Sequence, residues 1–425
     1  MNTLAKSNLD GKMDDFVIGI IGMGDMGKMY ARRLSDAGWR VNACDREDKY
    51  EALCEEFADR KQITILPNGH LVSRASDYTI YNVEAAAIGK VVAQYGPSTK
   101  QGAIVGGQTS CKAPEIAAFE KYLPADVDIV SCHSLHGPSV DPRGQPLVLI
   151  KHRASQESFD KVEYVLSCLG SKQHVLSASE HDRITADTQA VTHAAFLSMA
   201  RYVGGIENVK INLTLRIYSQ KWHVYAGLAI LNPYAKEQIR EYAQSVTDLY
   251  KLMLGGHKKE LEERIKSAGR FVFAGRKESD ELLLRDEVLD RFSLGKKPEK
   301  PTPNNHLSLL AIVDCWARLN IIPYDHMICS TPLFRLWLGV SEYLFRNPKL
   351  LDEVINTAID DNTFRSDDLE FTFAARGWSE CVEFGDFESW KDRFEKTQMF
   401  FAPRFPEATR VGNEMMKTIL ANIEN

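Results

Sequence analysis

The chain has 425 residues, 44% of them apolar and 26% charged, with a formal net charge of −6 at pH 7. That length exceeds what one hydrophobic core organises, so two or three domains are expected, and the acidic surplus argues against nucleic acid as the main partner. No run of roughly 18 apolar residues is present to span a membrane, and eight scattered cysteines without a Cys-x-x-Cys pair fit reduced thiols in the cytoplasm better than a disulfide framework or a structural zinc site.

Residues 1–15 are polar and acidic, lack the apolar core of a signal peptide, and are expected to form a flexible tail. Phe16-Val17-Ile18-Gly19-Ile20-Ile21 reads as a buried parallel strand. Gly22-Met23-Gly24-Asp25-Met26-Gly27 follows at once, then an amphipathic helix that ends at Gly38, then a second strand over Arg40–Asp45. Short strands at Tyr78–Asn82, Ala103–Gly106, Asp128–Cys132 and Leu147–Lys151 alternate with helical stretches up to about residue 178, which predicts a doubly wound sheet.

After Ser179 the texture changes: apolar residues recur at helical spacing and strand signals nearly vanish. "SEHD" resembles a capping box with Ser179 and Asp182 as partners, opening a helix that runs to Val203. "GKKPEKPTPNN", with three prolines and no apolar side chain, reads as a linker. Trp222 precedes Asn232-Pro233 by ten residues, and Trp337 precedes Asn347-Pro348 by the same ten, which suggests a duplicated helical subdomain. The expected fold class is therefore α/β plus all-α. A Rossmann domain spans 16–178 and a helical domain 179–292; a linker at 293–305 leads to a second helical copy at 306–425.

The glycine-rich run sits between a strand and a helix, and Asp45 closes the next strand 18 residues after Gly27. In that setting Gly22 permits the tight turn, Gly24 lets backbone approach a pyrophosphate and Gly27 lets helix and strand pack closely. The helix N-terminus then offers N–H groups and a positive dipole end to the phosphates. A dinucleotide cofactor is expected on Gly22, Met23, Gly24, Asp25, Met26 and Gly27, with Val83 beyond the Tyr78–Asn82 strand beside them. Asp45 favours the ribose hydroxyl of NAD, whereas Arg46 favours the 2′-phosphate of NADP, so the residues alone leave both open.

Ligands bind at the carboxyl ends of the strands in such folds. Ser110 follows the strand "AIVGG" and His133 ends "VDIVSC", which turns both toward the nicotinamide crevice. A histidine there can take a proton from a substrate hydroxyl as hydride leaves the same carbon, and a serine can hold that oxygen. His136 lies past the turn and reads as structural. Gln189 and His193, four apart on the helix opened at Ser179, share a face; a polar pair on an apolar stripe points to a ligand or to a helix–helix hydrogen bond. No His-x-x-x-His, Glu-x-x-His or Cys cluster is present, so no metal site is expected.

These motifs carry a resemblance. "SCHSLHGP" is similar to the His-x-x-x-Gly-Pro segment of prephenate dehydrogenases, "TSCK" to their Ser-x-Lys turn, "EHDRITADTQAVTHAAF" to their His-Asp…Gln…His helix and "STPLFRL" to their Ser-Pro-x-aromatic-Arg-Leu element. They stand in the family's order over nearly the whole chain, and the wording of "GGQTSCK" and "KWHVYAGLAI" resembles the fungal NADP-dependent members. The resemblance implies NADP as cofactor, prephenate as substrate and a place in tyrosine biosynthesis. It gives His133 the role of the catalytic histidine that hydrogen-bonds the ring hydroxyl, and Ser110 that of the serine beside it. Gln189 and His193 match positions near the pyruvyl side chain, and Arg335 matches the arginine that binds a substrate carboxylate.

Arg335 lies past the expected linker, whereas in shorter bacterial members this arginine follows the histidine helix closely. At that nearer place stand only Lys221 and Arg216, so Lys221 is a second candidate for the carboxylate. Bacterial members are dimers with interlocking helical domains. A duplicated helical copy could serve as a built-in partner, giving a monomer, or the chain could still form a homodimer. The alternatives are an arogenate dehydrogenase or a non-catalytic dinucleotide-sensing regulator. A β-hydroxyacid dehydrogenase is disfavoured because the helix from Ser179 to Val203 has no lysine.

Overall fold

A computed structural model of the chain describes residues 15–138, 140–200, 209–276, 280–284, 304–329 and 331–421. The expected tail, most of the expected linker and the segment after Ala200 lie outside the described residues. The chain divides into two units, residues 1–183 and 184–425.

In the first unit the apolar run becomes β1 (Val17–Ile21), buried along its whole length because both of its faces are covered. Around it lies a sheet of order β3-β2-β1-β4-β5-β6-β7-β8, with β2 at Arg40–Cys44, β3 at Ile63–Ile65, β4 at Tyr78–Tyr81 and β5 at Ile104–Gly107. β6 covers Asp128–Ser134, β7 Pro146–Arg153 and β8 Lys172–Val175. The order reverses at β1, where β2 and β4 flank it in parallel. One pairing departs from an all-parallel sheet: β6 and β7 are antiparallel. A parallel return needs a long crossover, and the described residues between 135 and 145 form no helix. β3 and β8 escaped the sequence because one has three residues and the other, Lys172-Gln173-His174-Val175, has no apolar run.

The Rossmann helices are α1 (Asp25–Asp36), α2 (Tyr50–Glu56), α3 (Gly69–Ala75), α4 (Ile88–Tyr95), α5 (Lys112–Tyr122) and α6 (Gln156–Leu166). They cover two apolar clusters, one around Ile18, Tyr30 and Leu166 and the other around Ile21, Val72 and Phe119.

Helix α7 (Ala178–Thr185) opens one residue earlier than the sequence suggested. Its reciprocal cap is Ser177 with Glu180: Glu180 N donates to Ser177 Oγ (3.2 Å) and Ser177 N donates to Glu180 Oε2 (2.8 Å). The expected Ser179–Asp182 box does not form, because the Asp182 carboxylate is turned toward the start of α5. Past α7 comes a π-helical turn over Ala186–Ala190, then α8 (Val191–Met199).

The second unit continues with α9 (Val209–Tyr218), α10 (Trp222–Leu231), α11 (Ala235–Leu254), α12 (Lys258–Val272) and α13 (Leu307–Arg318). It ends with α14 (Pro332–Phe345), α15 (Pro348–Asp360), α16 (Arg365–Glu383), α17 (Phe387–Phe401) and α18 (Phe405–Ala421). Helices from before and after the expected linker share one core, in which Phe196, Trp316, Trp337 and Trp390 are fully enclosed. The two Asn-Pro marks are used differently. Asn232 is buried and donates to Thr185 Oγ1, whereas Asn347 caps α15 by accepting from Leu350 N. Among the described residues no helix is long and apolar enough to cross a membrane.

Candidate active site

The glycine loop is shaped by contacts that leave no room for side chains at two of its positions. Gly22 has φ +103°, and a Cβ there would lie 2.3 Å from the Asn82 carbonyl oxygen; a Cβ on Gly27 would lie 2.0 Å from the Gly22 oxygen. Gly24 is different: a Cβ there meets nothing within 4 Å. Gly24 opens α1 without any side-chain cap, so the helix N-terminus is presented over open space, as a pyrophosphate requires. Asp25 and Met26 begin that helix, and Val83 packs beside Gly22.

Asp45 is engaged within the protein. Its carboxylate accepts from Met23 N (2.7 Å) and Arg46 N (2.8 Å) and pairs with Lys49 Nζ at 3.6 Å. It therefore braces the glycine loop against the end of β2. The Arg46 side chain is 71% exposed and pairs with Asp48 at 3.2 Å, a weak surface contact that a ribose phosphate can displace. A cavity of about 630 Å³ opens here, lined by Asp45, Tyr50, Asn68, His70 and Tyr95 among others. The cavity wall also carries Glu47, Asp48 and Glu51, and Arg46 and Lys49 are the cations that stand beside Asp45 at the end of β2. Asn82, which the sequence did not single out, stands at the end of β4 with both amide atoms buried and unbonded.

His133 lies on β6, 8% exposed. Its Nδ1 is 2.8 Å from Nε2 of His181, and Nδ1 of His181 is 2.9 Å from Oδ1 of Asp182. Asp182 in turn accepts from Lys112 N and Ala113 N, both at 2.7 Å, holding the start of α5. Lys112 is fully buried: its ammonium donates to Gly107 O (3.2 Å), Cys132 O (2.8 Å) and Glu115 Oε1 (2.9 Å), clamping the ends of β5 and β6 together. Glu115 also accepts from Thr109 N (3.0 Å) and Ser131 Oγ (2.6 Å), so the buried charges are paired and hydrogen-bonded. Ser110 sits half-buried on the turn this network anchors. Tyr30 of α1 shares a 2.7 Å hydrogen bond with Ser134, tying the cofactor helix to the strand that carries His133.

Burial holds the His133 ring well below its ordinary value, and His181, Lys112 and His136 add to the effect. Burial also lowers His181, opposed by its hydrogen bond to Asp182. Both rings are thus neutral near pH 7. His136 is half-buried and depressed mainly by burial; its Nδ1 lies 3.0 Å from the Gly137 carbonyl, and its Nε2 is buried without a hydrogen-bond partner.

In the second unit, Gln189 falls inside the π turn, a distortion that re-aims side chains and recurs at functional sites. It is 5% exposed, and its Nε2 has no hydrogen-bond partner. His193, one turn on, has Nδ1 unpartnered; its ring stands edge-on to Tyr225 at 4.9 Å, and burial pushes it down to about 4. Arg335 is half-buried on the first turn of α14, which Thr331 caps by accepting from Phe334 N at 3.2 Å. Burial lowers its guanidinium. Lys221 is exposed at the start of α10, and Arg216 is spent on Asn413 at 2.9 Å. Arg335 and Arg216 are both half-buried and both lowered by burial, whereas Lys221 is exposed.

The fold and the two site regions define a nicotinamide-dependent dehydrogenase with a helical second unit. The family comparisons agree with that class. Residues 17–132 match the NAD-binding domain of 6-phosphogluconate dehydrogenase, and residues 190–421 match a 6-phosphogluconate dehydrogenase C-terminal domain of the TYR1-like type. The chain is 58% identical to the probable NADP(+) prephenate dehydrogenase of Schizosaccharomyces pombe, over 97% of this chain and 99% of that one. It is 56% identical to the NADP(+) prephenate dehydrogenase of Saccharomyces cerevisiae, over 96% and 94%. It is 26% identical to a probable arogenate/prephenate dehydrogenase of Methanocaldococcus jannaschii, over 53% and 54%. The chain belongs to the prephenate dehydrogenase family.

Proposed function

We propose that this protein oxidatively decarboxylates prephenate to 4-hydroxyphenylpyruvate with NADP, a step of tyrosine biosynthesis, in the cytoplasm. The observation that carries the reading is the near-full-length similarity to NADP(+) prephenate dehydrogenases, together with a buried neutral histidine at the end of β6. When bound, NADP supplies the hydride acceptor. Gly22, Met23, Gly24, Asp25, Met26, Gly27 and Val83 hold its pyrophosphate, and Arg46, with Asp45 bracing the loop, favours the 2′-phosphate over a bare ribose.

His133 takes the proton of the substrate ring hydroxyl, and Ser110 positions that oxygen. Loss of hydride and carbon dioxide makes the ring aromatic, so the protein chiefly orients and polarises. A neutral base already freed of water needs no desolvation at the moment of transfer. Arg335 pairs with a substrate carboxylate, and Gln189 and His193 offer amide and imidazole donors to the side chain. Lys221, exposed, steers the dianion at most. The second set of helices takes the part of a partner subunit, so the protein works as a monomer; a homodimer is the alternative.

Arogenate differs from prephenate only in carrying an amine where prephenate has a keto group. The test is turnover by the purified protein with each of the two substrates and each of NADP and NAD, with sizing by light scattering. The expected result is the highest kcat/KM with prephenate and NADP. Preference for arogenate would move the substrate assignment, and silence with every pair would leave a dinucleotide sensor.

A further inference from the structure

The buried chain Asp182–His181–His133 is more than packing, because each hydrogen bond in it fixes the next. Asp182 already accepts from two backbone N–H groups, at Lys112 and Ala113, both 2.7 Å away. Oδ1 meets Lys112 N and His181 Nδ1, and Oδ2 meets Ala113 N and the Cys111 thiol at 3.6 Å, so all the acceptor positions of the carboxylate are engaged and none is left for a carboxyl proton. Asp182 therefore acts as acceptor toward His181, and the 2.9 Å contact requires the proton on His181 Nδ1. A neutral His181 then has a bare Nε2, which can only accept. The 2.8 Å contact to His133 requires the proton on His133 Nδ1. A neutral His133 so held has a bare Nε2.

We propose that Asp182, acting through His181, locks His133 in the tautomer whose Nε2 is the proton acceptor, and that His181 is a positioning residue which shares the resulting positive charge. The locking needs no assumption about the substrate; only the identity of the hydroxyl that gives up the proton rests on the prephenate reading. In the transfer, the substrate O–H bond breaks and an Nε2–H bond forms on His133. The Nδ1 proton of His133 can then move to His181 Nε2, placing the cation next to the Asp182 carboxylate, with no proton entering or leaving the chain of three. This answers a difficulty in the site. Burial, Lys112 and His136 all disfavour a charged His133, and within this cluster Asp182 and Glu115 are the groups that favour charge on His181. A carboxylate one residue removed from the base thus compensates for an environment that otherwise opposes protonation.

The test uses the full-length protein labelled with ¹⁵N-histidine, as wild type, His181→Gln and His181→Leu. Glutamine keeps an oxygen that can accept from His133 Nδ1; leucine keeps bulk and removes the acceptor. In wild type the ¹⁵N spectrum of His133 should show a protonated Nδ1 and a bare Nε2. His181→Gln should keep that pattern and hold kcat within about tenfold. His181→Leu should lose the pattern and lower kcat by about 100-fold or more, while the KM for each substrate changes little. A His133 signal with the proton on Nε2 in wild type overturns the proposal, and so does a leucine variant whose kcat and pH profile match wild type, or a glutamine variant as inactive as leucine. Absence of turnover with prephenate in wild type would count against the function assigned above, and the spectrum would still decide the tautomer.

Discussion

The polar groups around His133 and those around Gln189 and His193 are treated differently. Around His133 the side chains are spent on one another: Lys112, Glu115, Ser131, His181 and Asp182 form one buried, mutually bonded set. Around Gln189 and His193 they are not: Gln189 Nε2 and His193 Nδ1 are buried without hydrogen bonds, in and beside a π turn. Buried polar atoms left unpaired cost about 1–3 kcal/mol each. The set around His133 is therefore closed on itself, whereas Gln189 and His193 keep atoms that a polar ligand could meet.

Several substitutions break or sharpen that contrast. The largest effect should come from Asp182→Ala, which unlocks the histidine pair and frees the start of α5; kcat should fall by about 100-fold or more. Bound-cofactor fluorescence should be retained if the loss is in the base and not in the fold. Next is Arg335→Ala. A charge-assisted pair contributes about 1.5–3 kcal/mol, so kcat/KM for prephenate should drop by roughly 10- to 150-fold, mostly through KM. Lys221→Ala should stay within a few-fold in the same assay, and equal losses would show that burial of the cation is irrelevant.

Arg46→Ala should raise the KM for NADP by about tenfold and leave that for NAD unchanged, an effect read from initial rates with either cofactor. The smallest effect is on stability. His193 titrates at about 4 in the fold against an ordinary value near 6.5, so between those values the unfolded chain binds more protons. Its contribution is complete above about pH 6.5 and declines as pH falls toward 4. In His193→Leu the urea midpoint should therefore fall less than in wild type when pH is lowered from about 7 to about 5. Some dependence should remain, because His133 and His181 are depressed too.

Much of the first unit was legible in the sequence, because glycines under backbone constraint and short buried strands leave local signatures. Gly22 and Gly27 are needed for reasons that a contact distance restates. Two kinds of feature were not legible. One is polar partnership across long separation: His133 and His181 are 48 residues apart, and Asp182 read as a helix cap because local pattern cannot show that its carboxylate serves α5. A His-Asp pair opening a helix was the available signal. The other is the direction of a buried side chain. Asn82 carries no motif, and the π turn at Ala186–Ala190 has no periodic signature distinct from an α-helix. The bonds from Met23 N and Arg46 N to the Asp45 carboxylate are likewise invisible in the local pattern, which offered only its place at the end of β2.

The role proposed for the neutral, buried His133 as base is decided by comparing wild type with His133→Asn for reduction of NADP in the presence of prephenate, with cofactor affinity measured in parallel. Wild type should turn over, and the variant should lose about 10²–10⁴ in kcat with NADP bound as tightly as before. A His133→Asn protein that turns over prephenate at the wild-type rate would contradict it.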